Sequence, residues 1–281
     1  MTAAAAGAWW AAGAAWGWIP AVFAALAGLC IGSFLNVCIW RIPRGESIAW
    51  PGSHCPKCGH PLGFWDNLPL VSWAALRGRC RYCREPISAR YPLVEALTGA
   101  LFLAIWLAHG AEARTAVFAA FAASLVAGAF IDIDHLILPD RITLGWMALG
   151  VAASAAWPEL QGQGIWWRGA VASLAGAALG FGLLWAVAAA GKLALKRDAM
   201  GMGDWKLLGA VGAVLGWKAV LFTVLVSSLS GTLFGVAAIL AGGREWKSRL
   251  PYGPHLAAGA VVWMIWGERL VSWYWGWATG G

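Results

Sequence analysis

The sequence predicts an all-α polytopic membrane protein of about eight transmembrane helices with one small cysteine-bearing loop module. Three observations carry that prediction. Of the residues, 60% are hydrophobic and only 12% charged, roughly half the charged share of a soluble domain. Apolar runs recur along the chain, several near the ~20 residues that cross a hydrocarbon layer. The ten-residue alternation of a membrane β-barrel is missing, so the spans read as helices that satisfy their own backbone.

The apolar runs lie at 19–40, 92–108, 115–131, 142–157, 169–191, 205–216, 219–241 and 256–275. The sixth is the shortest. An Ala/Gly/Trp-rich arm precedes the first, and no charge occurs before Arg41, which argues against a cleavable signal peptide with its basic n-region. Residues 1–40 thus read as arm and first helix, 41–91 as a polar module, and 92–281 as a membrane-embedded core.

Charge sets the expected topology. With the 41–91 loop in the cytoplasm, alternate connections near 132–141, 192–206 and 242–254 also fall inside, and 16 of the 20 Lys and Arg lie there. Cytoplasmic loops collect Lys and Arg, so both termini are expected outside. The net charge of +7 is explained by this asymmetry, and no nucleic-acid partner is expected. The 22 Trp fit interfacial belts.

Cys55-Pro-Lys-Cys58 and Cys80-Arg-Tyr-Cys83 are two C-x-x-C pairs separated by 21 residues. Four thiolates complete a tetrahedral Zn²⁺ shell, a closed structural site that staples a loop too small for a core of its own. The alternative is two redox or disulfide pairs, which a cytoplasmic loop disfavours. His54 and His60 flank the first pair and read as loop residues, while Cys30 and Cys38 read as small apolar packing residues of the first helix.

Two places put carboxylates where apolar sequence meets a polar loop: Phe130–Asp140 (F-I-D-I-D-H-L-I-L-P-D) and Gly201–Lys206 (G-M-G-D-W-K). Ionisable residues at a hydrocarbon edge are costly and mark function. Asp132 and Asp204 fall on the same, cytoplasmic side. If the fold joins them, repulsion leaves one protonated and one ionised, so that one activates a water while the other polarises a peptide carbonyl. Taken alone, Asp204 reads equally well as a helix cap. Gly201 and Gly203 are expected to adopt backbone conformations closed to other residues, admitting a substrate strand. Asp134 is expected to point away from Asp132, Asp140 to cap the fourth spanning helix, Asp198 to be solvated, and Lys206 to snorkel towards the interface. Glu95, just inside the second span, reads equally as polar packing or as a binding residue.

These residues resemble the bacterial prepilin peptidase family, the type IV leader peptidase/N-methyltransferases, which are GxGD-type intramembrane aspartic proteases. The likeness runs through G-S-F-L-N-V-C-I-W-R-I-P (Gly32–Pro43), the Cys55–Glu95 segment, D-I-D-H-L-I-L-P-D and G-M-G-D-W-K-L. The resemblance implies cleavage of the basic leader from type IV prepilins or type II secretion pseudopilins, after a Gly, at the cytoplasmic face of the inner membrane. It implies Asp132 and Asp204 as the catalytic pair, and methylation of the new N-terminal residue with S-adenosylmethionine. Arg84 stands where many members of that family have a small residue. Two rival readings are a GxGD protease of another substrate class, which leaves the cysteine module unexplained, and a proton-coupled transporter, which wants its acids at the membrane midplane.

Overall fold

The computed structural model describes residues 18–196, 200–241 and 250–279. The N-terminal arm, Arg197, Asp198, and the basic residues Arg244, Lys247 and Arg249 lie outside the described residues. The described chain is helical and contains no β-strand. Its helices are α1 (Ile19–Arg41), α2 (Val71–Ala75), α3 (Arg90–His109), α4 (Ala113–His135), α5 (Asp140–Ala156), α6 (Trp166–Leu195), α7 (Met202–Leu215), α8 (Trp217–Leu240) and α9 (Gly253–Thr279).

Helices therefore stand at all eight places where apolar runs predict spans. Five of them (α1, α3, α4, α6 and α8) are long and apolar enough to cross a membrane. The other three fail for different reasons. At 1.5 Å per residue α7 measures about 21 Å and α5 about 25 Å, short of the ~30 Å hydrocarbon core. Helix α9 has 27 residues but carries Glu268, Arg269 and an aromatic-rich end.

The chain divides into two compact units, 1–127 and 128–281. In the first, α1 and α3 lie side by side. A Cβ on Gly28 would stand 2.8 Å from the Gly99 Cα, and one on Gly32 would stand 2.7 Å from the Glu95 Cα. Small residues thus let these two backbones touch, as helices in lipid require. Between them the polar segment 42–89 folds into a module with α2 and two isolated β-bridges.

In the second unit α7 is the axis. Helices α5, α6, α8 and α9 all contact it, and every residue from Leu207 to Leu215 is buried. A helix apolar on all sides belongs in such a core, which explains why α7 can be short. Opposite Gly212, Gly176 on α6 leaves no room for a Cβ on either helix.

Candidate active site and metal centre

Asp132 sits in the last turn of α4 and is buried. The chain then turns through Leu136 (φ 54°), whose N–H donates to the Asp132 carbonyl at 2.9 Å, and Pro139 precedes α5. Asp204 is the third residue of α7 and is also buried. Each carboxylate accepts one backbone N–H. Gly253 donates to Asp132 Oδ2 at 2.9 Å, and Gly201 donates to Asp204. The two carboxylates are close enough to act on each other electrostatically, so the fold brings together acids 72 positions apart in sequence.

Several expectations need correction. Gly201 has φ −73° and ψ 147° and is itself the N-cap of α7, so Asp204 is not the cap but reaches back from the third helical position, as in a capping box. That backbone is open to any residue, and Gly203 lies within the helix. Gly203 matters through space instead: a Cβ there would fall 2.8 Å from the Leu138 Cβ. Asp140 is not a cap either, since Pro139 takes that place without a side-chain bond. Asp140 instead accepts from Lys206 Nζ at 2.7 Å, tying the first turn of α7 to the start of α5. Asp134, expected to point away from Asp132, is exposed where Asp132 is buried. Cys38 is buried but Cys30 is on the outer face of α1.

Two contributors carried no chemical signal in the sequence. Leu138 is buried and wedges between Gly203 and Gly128 of α4. The turn Pro251–His255 delivers the Gly253 amide, and its neighbours are held from α8. Tyr252 Oη lies 2.8 Å from Ser227 Oγ, and His255 Nδ1 lies 3.1 Å from Ser230 Oγ. A Pro-x-Gly-Pro cluster ahead of an apolar run is a turn signal, but it does not say which side chain the turn will meet.

In the first unit Cys55, Cys58, Cys80 and Cys83 place their sulfurs within 4.8 Å of one another, and Cys55 and Cys83 are 3.8 Å apart. Zn–S bonds of about 2.3 Å in a tetrahedron put sulfurs about 3.8 Å apart, so the donor set fits a zinc-sized ion. The two halves are copies of one turn. The N–H of Cys55 donates to the His60 carbonyl and that of Cys80 to the Glu85 carbonyl, both at 2.9 Å. Bridges join His54 to Pro61 and Arg79 to Pro86, and Gly59 and Arg84 share a left-handed φ of 71° and 62°. The N–H groups of Cys83 and Tyr82 bring the Cys80 thiol down to about 7. Cys83 receives an N–H from Glu85, yet burial and the neighbouring sulfurs push it up to about 12. Neither histidine joins the sulfurs: His60 stacks on Tyr82, and His54 Nδ1 lies 3.1 Å from the Gly52 carbonyl. Asp66 accepts from Arg81 Nε at 2.7 Å and from the Gly63 N–H at 3.3 Å. The Arg81 bond holds its carboxyl below the usual carboxylate range.

Glu95 is buried on α3, where its Oε2 accepts the Leu70 N–H at 2.8 Å. It borders a cavity of about 870 Å³ walled by the end of α1, the cysteine module and the start of α3.

Fold and site together define a helical membrane protein with a pair of buried carboxylates and a cluster of four thiols. Residues 26–109 match the bacterial peptidase A24 N-terminal domain, and residues 119–236 match the type IV leader peptidase family. The chain is 38% identical to a prepilin leader peptidase/N-methyltransferase of Aeromonas hydrophila over 93% of its length and 95% of that protein. A protein of the same name from Pseudomonas putida is 34% identical, with 90% and 94% covered. Another from Myxococcus xanthus is 44% identical over 80% of this chain, which spans 64% of that relative. No solved structure shows a significant match. The chain belongs to the type IV leader peptidase family.

Proposed function

We propose that this enzyme cleaves the basic leader from type IV prepilins or type II secretion pseudopilins at the cytoplasmic face of a bacterial inner membrane, and then methylates the exposed N-terminal amine with S-adenosylmethionine. The observation that carries the cleavage reading is the pair of buried, electrostatically interacting carboxylates, Asp132 and Asp204, each fixed by a backbone N–H.

Two such groups share a proton. The ionised carboxylate takes a proton from a water, whose oxygen attacks the scissile carbonyl carbon. The protonated partner hydrogen-bonds the carbonyl oxygen, stabilising the charge that grows there. The tetrahedral intermediate then collapses as the leaving nitrogen receives a proton and the C–N bond breaks. Gly201, Gly203 and Lys206 shape the site from the start of α7: Gly201 caps the helix, Gly203 admits Leu138, and Lys206 ties the helix to Asp140. A substrate with a basic leader and an apolar helix would leave the helix in the bilayer and bring the leader to these acids.

In this reading every helix but α2 crosses, eight in all, with both termini periplasmic. Sheathed by its neighbours, α7 needs no lipid-facing length. Residues 41–91 form the module in which Cys55, Cys58, Cys80 and Cys83 hold structural Zn²⁺, residues 92–281 form the protease core, and Glu95 belongs to the methyl-transfer half.

The test is to incubate the purified protein with a prepilin and S-adenosylmethionine and read the products by mass spectrometry. A shortened chain, followed by a methylated one, supports the reading. An intact leader beside cleavage of unrelated membrane helices rejects it.

A further inference from the structure

We propose that residues 64–75 of the cysteine module form a wedge that dips to the hydrocarbon edge of the bilayer and turns its outward face to lipid. The wedge rests only on α1 and α3 crossing the membrane, and not on the reaction. Its level, its two-sidedness and its hydrogen bonding each point to this placement.

The level follows from the two spans that flank the module. Glu95 of α3 accepts the Leu70 N–H at 2.8 Å, and the Glu95 Cα lies beside Gly32 of α1. Measured from their far ends, Ile19 and His109, the two helices reach this point after about 20 and 21 Å at 1.5 Å per residue. A hydrocarbon core of ~30 Å therefore continues for roughly 10 Å beyond it. Leu70 is thus held below the membrane surface by a side chain of a spanning helix. Phe34 of α1, and Leu93 and Leu97 of α3, are exposed within three residues of this level, so lipid already meets both spans here.

The segment has a polar side and an apolar side. Asp66, Asn67, Ser72, Trp73 and Leu76 line the cavity of about 870 Å³. Phe64 and Trp65 stand outside that wall, 73% and 71% exposed, with their rings edge to face at 5.4 Å. On α2 the exposed residues are Val71, Ala74 and Ala75, spaced i, i+3 and i+4 and so on one face. A helix facing water carries polar residues there, whereas this face is wholly apolar. Exposed aromatic rings beside an apolar helix face suit a membrane interface.

Backbone at this level must find its partners within the protein. Pro69 has no N–H to satisfy, and Glu95 takes that of Leu70. The N–H groups of Val71 and Ser72 donate to the Pro69 and Leu68 carbonyls at 2.6 and 3.1 Å. The Ser72 hydroxyl also donates to the Leu68 carbonyl, at 2.8 Å. Glu95 is then the peg that holds the wedge down, and the wedge separates the cavity from lipid.

The experiment uses the full chain in nanodiscs of phosphatidylethanolamine and phosphatidylglycerol, a fraction of which carries a diazirine on the acyl chain. After illumination, mass spectrometry should find lipid adducts within residues 64–75 as well as within α1 and α3. Hydroxyl-radical footprinting of the same nanodiscs supplies a second reading. Tyr82, on the second cysteine turn, is 50% exposed, less than Trp65, so in water Trp65 would oxidise at least as fast. In the bilayer Trp65 should oxidise at least threefold more slowly than Tyr82. Adducts on the spans but none on 64–75, or a Trp65 that oxidises as fast as Tyr82, overturn the wedge. Protection of Trp65 without lipid adducts overturns it too, because protein rather than lipid would then cover the face. Neither measurement needs a variant to fold or a substrate to turn over, so the wedge can fail while the cleavage reading stands.

Discussion

The backbone N–H of Gly253 donates to Asp132 Oδ2 at 2.9 Å, across 121 positions of sequence. One carboxylate oxygen is thereby pinned and the other left to do chemistry. A Cβ on residue 253 would stand 2.8 Å from that oxygen, closer than any real contact. Gly253→Ala should therefore displace Asp132 and reduce leader cleavage by 10² or more, because misplacing a reacting group by about 1 Å has that effect. Single-turnover kinetics with a prepilin peptide would measure it. Tyr252→Phe, which removes the hydroxyl's bonds to Ser227 and Ser228, should cost about 1 kcal/mol and less than tenfold in rate.

Leu138 supplies a second steric prediction. A Cβ at residue 203 would meet Leu138 Cβ at 2.8 Å, so Gly203→Ala should shift the start of α7 and impair cleavage. Replacing Leu138 with Gly beside it should restore part of the rate, since only glycine removes the Cβ that the new methyl meets. Non-additivity of this kind between touching residues distinguishes a packing role from a need for glycine backbone freedom.

The duplicated cysteine turn predicts a stabilising change. Arg84 adopts φ 62° where its counterpart is Gly59, and a left-handed conformation costs a non-glycine residue roughly 1 kcal/mol or more. Arg84→Gly should tighten zinc retention by up to about fivefold in chelator competition. In the opposite direction, Cys55→Ser should loosen the 41–91 segment and lower stability, because metal affinity is folding free energy in such modules. Proteolysis of that segment, with metal analysis, would report both.

Acid should loosen the same module through Asp66. Its carboxyl is held low by Arg81, so the folded state favours the ionised form. The resulting stabilisation is fully present above the unfolded value near pH 4 and fades as pH falls through the lower folded value. Asp66→Asn should therefore make the module more protease-sensitive at pH 6, and the difference from the unaltered protein should shrink below about pH 4.

Much of this was legible in the sequence because membranes impose simple rules. The apolar runs marked eight of the nine helices, all but the short α2, the C-x-x-C spacing marked the thiolate cluster, and the carboxylates stood out by their cost at a hydrocarbon edge. What escaped was set by packing and backbone. Gly253 acts through an amide that every residue but proline carries, so nothing singles it out. Leu138 looks like any core leucine until Gly203 is seen beneath it. Gly203 itself was misread, since glycine serves equally for unusual φ and for close approach and a sequence does not say which. The brevity of α7 made sense only once four helices were seen to surround it.

The central claim is that Asp132 and Asp204 form a single catalytic unit. Its most direct test is cleavage of a prepilin in nanodiscs by Asp132→Asn, by Asp204→Asn and by the double variant, with zinc content as the control for folding. Each single substitution should reduce cleavage to background, and the double should add nothing further, as for residues that act together. A folded single variant that cleaves within tenfold of the unaltered enzyme would contradict the account.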